Sequence, residues 1–251
     1  MIEITSAENQ VIKHIRKLSA HLWRQKYKET VLEGERIVND VVAYGGEIDT
    51  LLIREGYTGR VPEARRVYKA PEKLFDSLTE TVSPQGIMAT VKYKLAVPED
   101  VFAGGVVIYC DRVQDPGNLG TIFRTAHAVG ADGIILSKGC ADAFSPKTVR
   151  SSMGSVFAIP VLEADSFYKP ENYTAFCGTL SDKAKALYDI SFPKASMLVL
   201  GNEANGASDA VIKASEEHVL IPMPGKAESL NVAAAGAVMM YEYLRQGQYV
   251  R

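Results

Sequence analysis

Five apolar residues in a row, Val106-Val107-Ile108-Tyr109-Cys110, stop at Asp111, and a loop carrying Pro116 and Gly117 follows before any helical pattern begins. An unbroken apolar run of this length lacks the polar alternation of a strand with one wet face, and it suits the centre of a parallel sheet. Parallel neighbours cannot be joined by a hairpin, so the chain must cross over. The crossover is legible: Ile122, Phe123, Ala126 and Val129 recur at helical spacing, Gly130 ends the helix, and residues 133–136 read as the next strand. This βαβ unit places the second half of the chain in the α/β class. Further strands are expected at 158–160, 174–178, 197–201 and 219–221, with an alanine-rich helix from about 230 to 244.

The first 95 residues read differently, as short α/β units too few for a dinucleotide fold. A helix is expected over 6–27, capped by Ser6 and buried through Val11, Ile15, Leu18 and Leu22. Short strands at 31–32, 48–53, 67–69 and 86–91 alternate with helices at 37–42 and after Pro71. A linker is expected at 94–104, where Pro98 and Gly104-Gly105 interrupt the pattern, which predicts a domain over 1–95 and a second over 104–251.

Composition narrows the function classes. With 28 Lys and Arg against 30 Asp and Glu in 251 residues, the net charge of -2 excludes a histone-like polycation, so any nucleic-acid footprint must be a patch. One such patch is visible between Asn9 and Lys28, where Lys13, Arg16, Lys17, Arg24, Lys26 and Lys28 occur without an acid. It reads either as a solvated helix face or as a surface for phosphates. Three widely spaced cysteines and four scattered histidines argue against a disulfide framework and against a metal site. The opening MIEITSAENQ lacks the pattern of a signal peptide, and no apolar stretch reaches the roughly 20 residues of a membrane span, so a cytoplasmic protein is expected.

Three segments carry the chemistry. In 111–126, a strand end turns into a helix start, with Asn118 and Arg124 on the helix; a cap for Asn118 and an interhelical ion pair for Arg124 are the plain alternatives. In 198–208, a buried strand runs into Gly201-Asn202-Glu203, a polar loop at the strand's carboxyl end, where open α/β sheets bind ligands. In 219–235, Pro222 and Pro224 stiffen a loop before Ser229 and Asn231, which open a helix of small residues suited to close packing, with a cap for Ser229 as the plain alternative.

Together these segments resemble the SpoU/TrmH family of RNA ribose 2′-O-methyltransferases, within the SPOUT class. The matching pieces are DRVQDPGNLGTIFRTAHAVGADGIIL at 111–136, LVLGNEANGAS at 198–208 and VLIPMPGKAESLNVAAAGAVMMYEY at 219–243. More weakly, LEGERIVNDVV at 32–42 and SPQGIMATV at 83–91 resemble the small ribosomal-protein-like α/β domain that binds substrate in many members. The resemblance implies a C-terminal SPOUT parallel-sheet domain with a trefoil knot, a homodimer, and S-adenosylmethionine as cofactor. It implies cofactor contacts at Thr179, Leu180, Leu200, Gly201, Asn202, Glu203, Ile221, Met223, Ser229, Leu230 and Asn231. It implies an active centre of Asn118, Arg124, Glu203, Ser229 and Asn231, with Arg150 on the substrate side among the RNA-binding residues. Because a guanidinium does not readily give up its proton, Arg124 is read as a clamp on RNA phosphate and hydroxyl rather than as a base. The expected activity is methylation of a ribose 2′-hydroxyl, with the N-terminal domain tilting the choice toward ribosomal RNA. Transfer-RNA methylation, base methylation by a more distant relative, and a non-catalytic RNA-binding or ribosome-assembly factor remain as alternatives.

Overall fold

The computed structural model describes residues 1–181 and 183–248 and divides the chain into two compact units. The first contains Met1–Lys94 together with Asp142–Ala158; the second contains Leu95–Ala141 and the chain from Ile159 onward. The segment Asp142–Ala158, which the sequence reading places inside the second domain, therefore packs with the first.

In the first unit the chain runs β1 (Ile2–Glu3), α1 (Gln10–Lys17), α2 (His21–Tyr27), β2 (Glu29–Glu33), α3 (Glu35–Ala43), β3 (Ile48–Arg54), β4 (Arg66–Ala70), α4 (Glu72–Asp76) and β5 (Ile87–Lys92). The sheet order is β1-β4-β3-β5-β2, with β5 antiparallel to both its neighbours and the other pairs parallel. Ile12 and Ile15 of α1 join Leu52, Met88 and Phe75 in its core. The single helix expected over 6–27 is two helices. Asn9, not Ser6, caps the first by accepting from Val11 N at 2.9 Å, and Leu22 is 69 % exposed. The break at Leu18-Ser19 has a cause in Arg24, whose Nη1 donates to the carbonyls of both residues, at 2.8 and 2.6 Å, and so satisfies the open end of α1.

In the second unit come α5 (Pro98–Val101), β6 (Val106–Cys110), α6 (Pro116–Val129) and β7 (Gly133–Ser137). The chain then leaves for α7 (Pro146–Ser151), which belongs to the first unit. It returns with β8 (Val161–Ala164), β9 (Thr174–Gly178), β10 (Lys185–Ala186), β11 (Ser196–Leu200), α8 (Asp209–Ala214), β12 (Glu217–Leu220) and α9 (Val232–Tyr243). The sheet is parallel throughout, in the order β10-β12-β9-β11-β6-β7-β8. Val106–Cys110 is buried along its whole length between β11 and β7, as its composition requires. The strand expected at 158–160 forms three residues later, because Pro160 supplies only a carbonyl, to Ile134 N at 2.9 Å. Helix α9 packs on β11 and α6, and its small residues allow the approach: a Cβ on Gly236 would lie 2.7 Å from Leu200 Cδ1. Among the described residues, no helix is long and apolar enough to cross a membrane, and no group of His, Cys, Asp and Glu could hold a metal ion.

Candidate active site

A parallel sheet delivers all its strand ends to one edge, so the loops leaving β9, β11 and β12, which are neighbours in the sheet, share a neighbourhood. There they enclose a cavity of about 420 Å³ with the first turns of α9. Its lining includes Thr179 and Leu180 after β9, Leu200, Gly201, Asn202 and Glu203 from β11 onward, Ile221 and Met223 after β12, and Ser229 and Leu230 before α9. Of the eleven positions expected to contact a cofactor, only Asn231 is absent from the lining. Glu203 is its sole charged residue among those described, so the cavity carries a negative field.

The loop after β11 is folded tightly onto itself. Asn202 Oδ1 accepts from Ala204 N at 3.0 Å and Asn205 N at 3.1 Å, while its Nδ2 donates to the Arg112 carbonyl at 2.8 Å. Asp111, buried at the end of β6, accepts from Ser208 N at 2.6 Å and from Ser137 Oγ at 3.3 Å. Burial pushes the Asp111 carboxyl up, but these partners and Arg112 outweigh it and hold the group below the usual carboxylate range. The turn leaves no room for a side chain at Gly201, where a Cβ would lie 2.1 Å from Ala207 N.

At the cavity's edge a hydrogen-bond chain joins the three informative segments. Asn231 Nδ2 donates to Asn118 Oδ1 at 2.9 Å, and Asn118 Nδ2 donates to Glu203 Oε1 at 3.0 Å. Glu203 also accepts from the backbone N–H groups of Asp115 and Gln114, each at 3.1 Å. Burial pushes its carboxyl up, yet the bond from Asn118 and those from the backbone prevail and lower it, so it is an anion at neutral pH and a poor base. Asn118 is free for this work because Asp115 caps α6, accepting from Asn118 N at 2.8 Å. Asn231 does two jobs: Oδ1 caps α9 by accepting from Ala233 N and Ala234 N, and Nδ2 reaches Asn118. Ser229 lies exposed outside the helix, and its hydroxyl has no hydrogen-bond partner among the described residues.

The structure thus brings Asn118, Glu203, Asn231 and Ser229 together, but not Arg124. Six residues along α6 from Asn118 amount to about 9 Å of rise and about 240° of turn. Arg124 is exposed, is not part of the cavity lining, and its guanidinium has no partner among the described residues. Among the residues expected to bind RNA, Arg24 is a correction. It is 4 % exposed, and beyond its two carbonyl bonds it donates from Nε and Nη2 to Asp142 Oδ2, at 2.9 and 2.7 Å. An arginine committed in this way cannot meet a phosphate. Arg150 is also engaged, donating to Glu80 Oε2 at 2.9 Å within the first unit, and Lys13 pairs with Glu8 at 2.6 Å. Lys17 and Lys26 lie 4.9 and 5.0 Å over the ring of Trp23, and with Lys28 and Arg16 they remain exposed. The sequence reading missed the organising roles of Asp115, Asn202 and Asp111. The Asp115-Pro116 pair, a helix-start signature, was the available signal for the first.

Comparison with known proteins shows the family. Residues 105–241 match the SpoU rRNA methylase family, and residues 9–89 match the MRM3-like substrate-binding domain. A 23S rRNA (guanosine(2553)-2′-O)-methyltransferase of Bacillus subtilis is 35% identical, over 96% of this chain and 98% of that protein. An AdoMet-bound rRNA methyltransferase of Sinorhizobium meliloti superposes with a TM-score of 0.85 at 31% identity, covering 98% of both chains. The SpoU methyltransferase AviRb of Streptomyces viridochromogenes, in complex with AdoMet, gives 0.83 at 28% identity, covering 97% of this chain and 100% of that one. The chain belongs to the SpoU rRNA methylase family, with an MRM3-like substrate-binding domain preceding the methylase region.

Proposed function

We infer that this protein transfers a methyl group from S-adenosylmethionine to a ribose 2′-hydroxyl of RNA, with ribosomal RNA as the substrate. The observation that carries the reading is the anionic cavity at the ends of β9, β11 and β12, edged by the Asn231–Asn118–Glu203 chain. The cavity suits the cofactor. Its volume is that of a small-molecule site, Leu180 and Leu230 expose 60 % and 40 % of their surface beside it, and Glu203 opposes a positive charge. When bound there, the cofactor supplies an electrophilic methyl group on a cationic sulfur.

The chain's own residues align and hold the hydroxyl. Asn118 is fixed at both ends of its amide, which leaves its second Nδ2 hydrogen for a ribose oxygen. Ser229 offers a free hydroxyl on the cavity wall. Arg124, with five donors and no partner among the described residues, grips the RNA phosphate and the 2′-hydroxyl and lowers the hydroxyl's pKa, so that its proton passes to a phosphate oxygen or to water as the oxygen takes the methyl group. Its distance along α6 from Asn118 supports a homodimer in which a second copy completes the site. The wholly parallel sheet and the family support a trefoil knot in the second domain. The mixed sheet of the first unit supports a ribosomal-protein-like RNA-binding domain, with Arg16, Lys17, Lys26 and Lys28 facing phosphates. A ribosomal substrate is compatible with a cytoplasmic place.

The test is transfer of labelled methyl from S-adenosylmethionine to total RNA and to assembled ribosomal subunits. Label in ribosomal RNA supports the reading, and label confined to transfer RNA moves the substrate. An Arg124→Ala protein is expected to bind RNA but not to methylate it; unchanged transfer contradicts the clamp.

A further inference from the structure

A second cavity, of about 500 Å³, lies wholly within the first unit, on the face of the sheet beside α1. Residues paired directly across strands, or two apart on one strand, share a face, and the pairs Glu29–Lys92, Thr50–Thr90 and Thr50–Arg66 put a polar patch on one face of β2, β5, β3 and β4. Two residues further along, the same face carries Leu52 and Met88, which are core. The face therefore changes from apolar to polar within one pleat, yet the polar part is buried too: Thr90 is 0 % exposed and Glu29 5 %. Glu29 Oε2 accepts from His14 Nε2 at 2.8 Å, but Glu29 Oε1 and Thr90 Oγ1 have no hydrogen-bond partner among the described residues. Leaving such atoms unmatched is costly, and both residues line the cavity. Tyr27 adds an aromatic surface, and Lys17, Lys92 and Arg65 supply positive charge around it, with Arg65 also facing Asp49 at 3.7 Å.

We propose that this cavity is a nucleotide pocket that takes one unstacked guanine of the RNA substrate. The guanine edge presents two adjacent donors, N1–H and N2–H, to the Glu29 carboxylate, the Tyr27 ring offers a stacking surface, and the surrounding cations hold the flanking phosphates. Adenine and uracil lack that pair of donors. The pocket rests on the reading of the chain as one that acts on RNA, and it is separate from the cavity at the ends of β9, β11 and β12.

The test measures binding of the full chain to labelled UUGUU, UUIUU (inosine) and UUAUU, with S-adenosylhomocysteine present in excess. UUGUU is expected to bind about tenfold or more tightly than UUAUU, with inosine between them, as one bidentate contact allows. Glu29→Gln, which is nearly isosteric, is expected to bring the guanine-to-adenine ratio within about threefold while leaving UUAUU affinity unchanged. No guanine preference in the wild type overturns the proposal, as does a preference that survives Glu29→Gln or an equal weakening of all three ligands. If that variant does not fold, photocross-linking of 6-thioguanosine in the same pentanucleotide decides: attachment to Tyr27 or to the 10–17 peptide supports the pocket, and attachment only elsewhere overturns it. Methyl transfer by the same preparation separates the two readings: an active enzyme without guanine preference loses only the pocket.

Discussion

Arg24 offers the sharpest separation between a structural and an RNA-binding arginine. Its guanidinium makes four hydrogen bonds: two to Asp142 Oδ2 and one each to the carbonyls of Leu18 and Ser19. The side chains of Arg24 and Asp142 are 5% and 14% exposed, so solvent screens the pair little. Arg24→Ala leaves Asp142 with His21 as its remaining side-chain partner among the described residues and uncovers the end of α1. Breaking one side of a buried pair costs about 3–5 kcal/mol. At roughly 2–4 °C per kcal/mol for a chain of this size, the melting temperature should fall by about 6–20 °C. Calorimetry on Arg24→Ala, Asp142→Ala and the double variant measures the effect, and the double variant should lose clearly less than the sum of the singles. A melting point within about 2 °C of wild type, accompanied by lost RNA affinity, would refute the structural assignment and return Arg24 to the RNA surface.

Other outcomes follow from the same geometry. Gly201→Ala drives a Cβ into the Ala207 backbone and should abolish S-adenosylmethionine binding in a titration, with RNA affinity kept. Asn118→Ala cuts the link between Asn231 and Glu203 and should lower the rate of methyl transfer about 10²-fold, with little change in the KM for RNA. Asp111, Asp142 and Glu203 are all held below the ordinary carboxylate range. Their stabilisation is complete above the unfolded carboxyl value of about 4 and is lost as pH falls through the lower folded values. The melting temperature should therefore be insensitive to these groups near neutrality and drop in acid, and a drop beginning near pH 7 would contradict that assignment.

Where local chemistry decides structure, the sequence was a good guide. The apolar run Val106–Cys110 forms the buried strand it implies, and Gly130 closes α6 in a left-handed turn with φ 71°. The loop residues of the second unit gather around one cavity because a parallel sheet leaves them no other edge. What could not be read depends on partners distant in the chain. The basic run from Lys13 to Lys28 looks uniform, yet Asp142, 118 residues after Arg24, removes one member from the surface. The segment Asp142–Ala158 belongs to the first unit, and no periodicity within it signals this. Asn118 and Ser229 each read as a helix cap. Only the fold shows that Asp115 takes the first role and that Asn231, not Ser229, takes the second while reaching Asn118.

The central claim is that the product is a methylated ribose in ribosomal RNA, and mapping ribose methylation in cells with and without this gene tests it most directly. The account predicts the disappearance of a specific 2′-O-methyl mark from ribosomal RNA, restored by the wild-type gene and not by an Arg124→Ala copy. Identical maps in the two strains, or loss of a methyl group carried on a base, would contradict it.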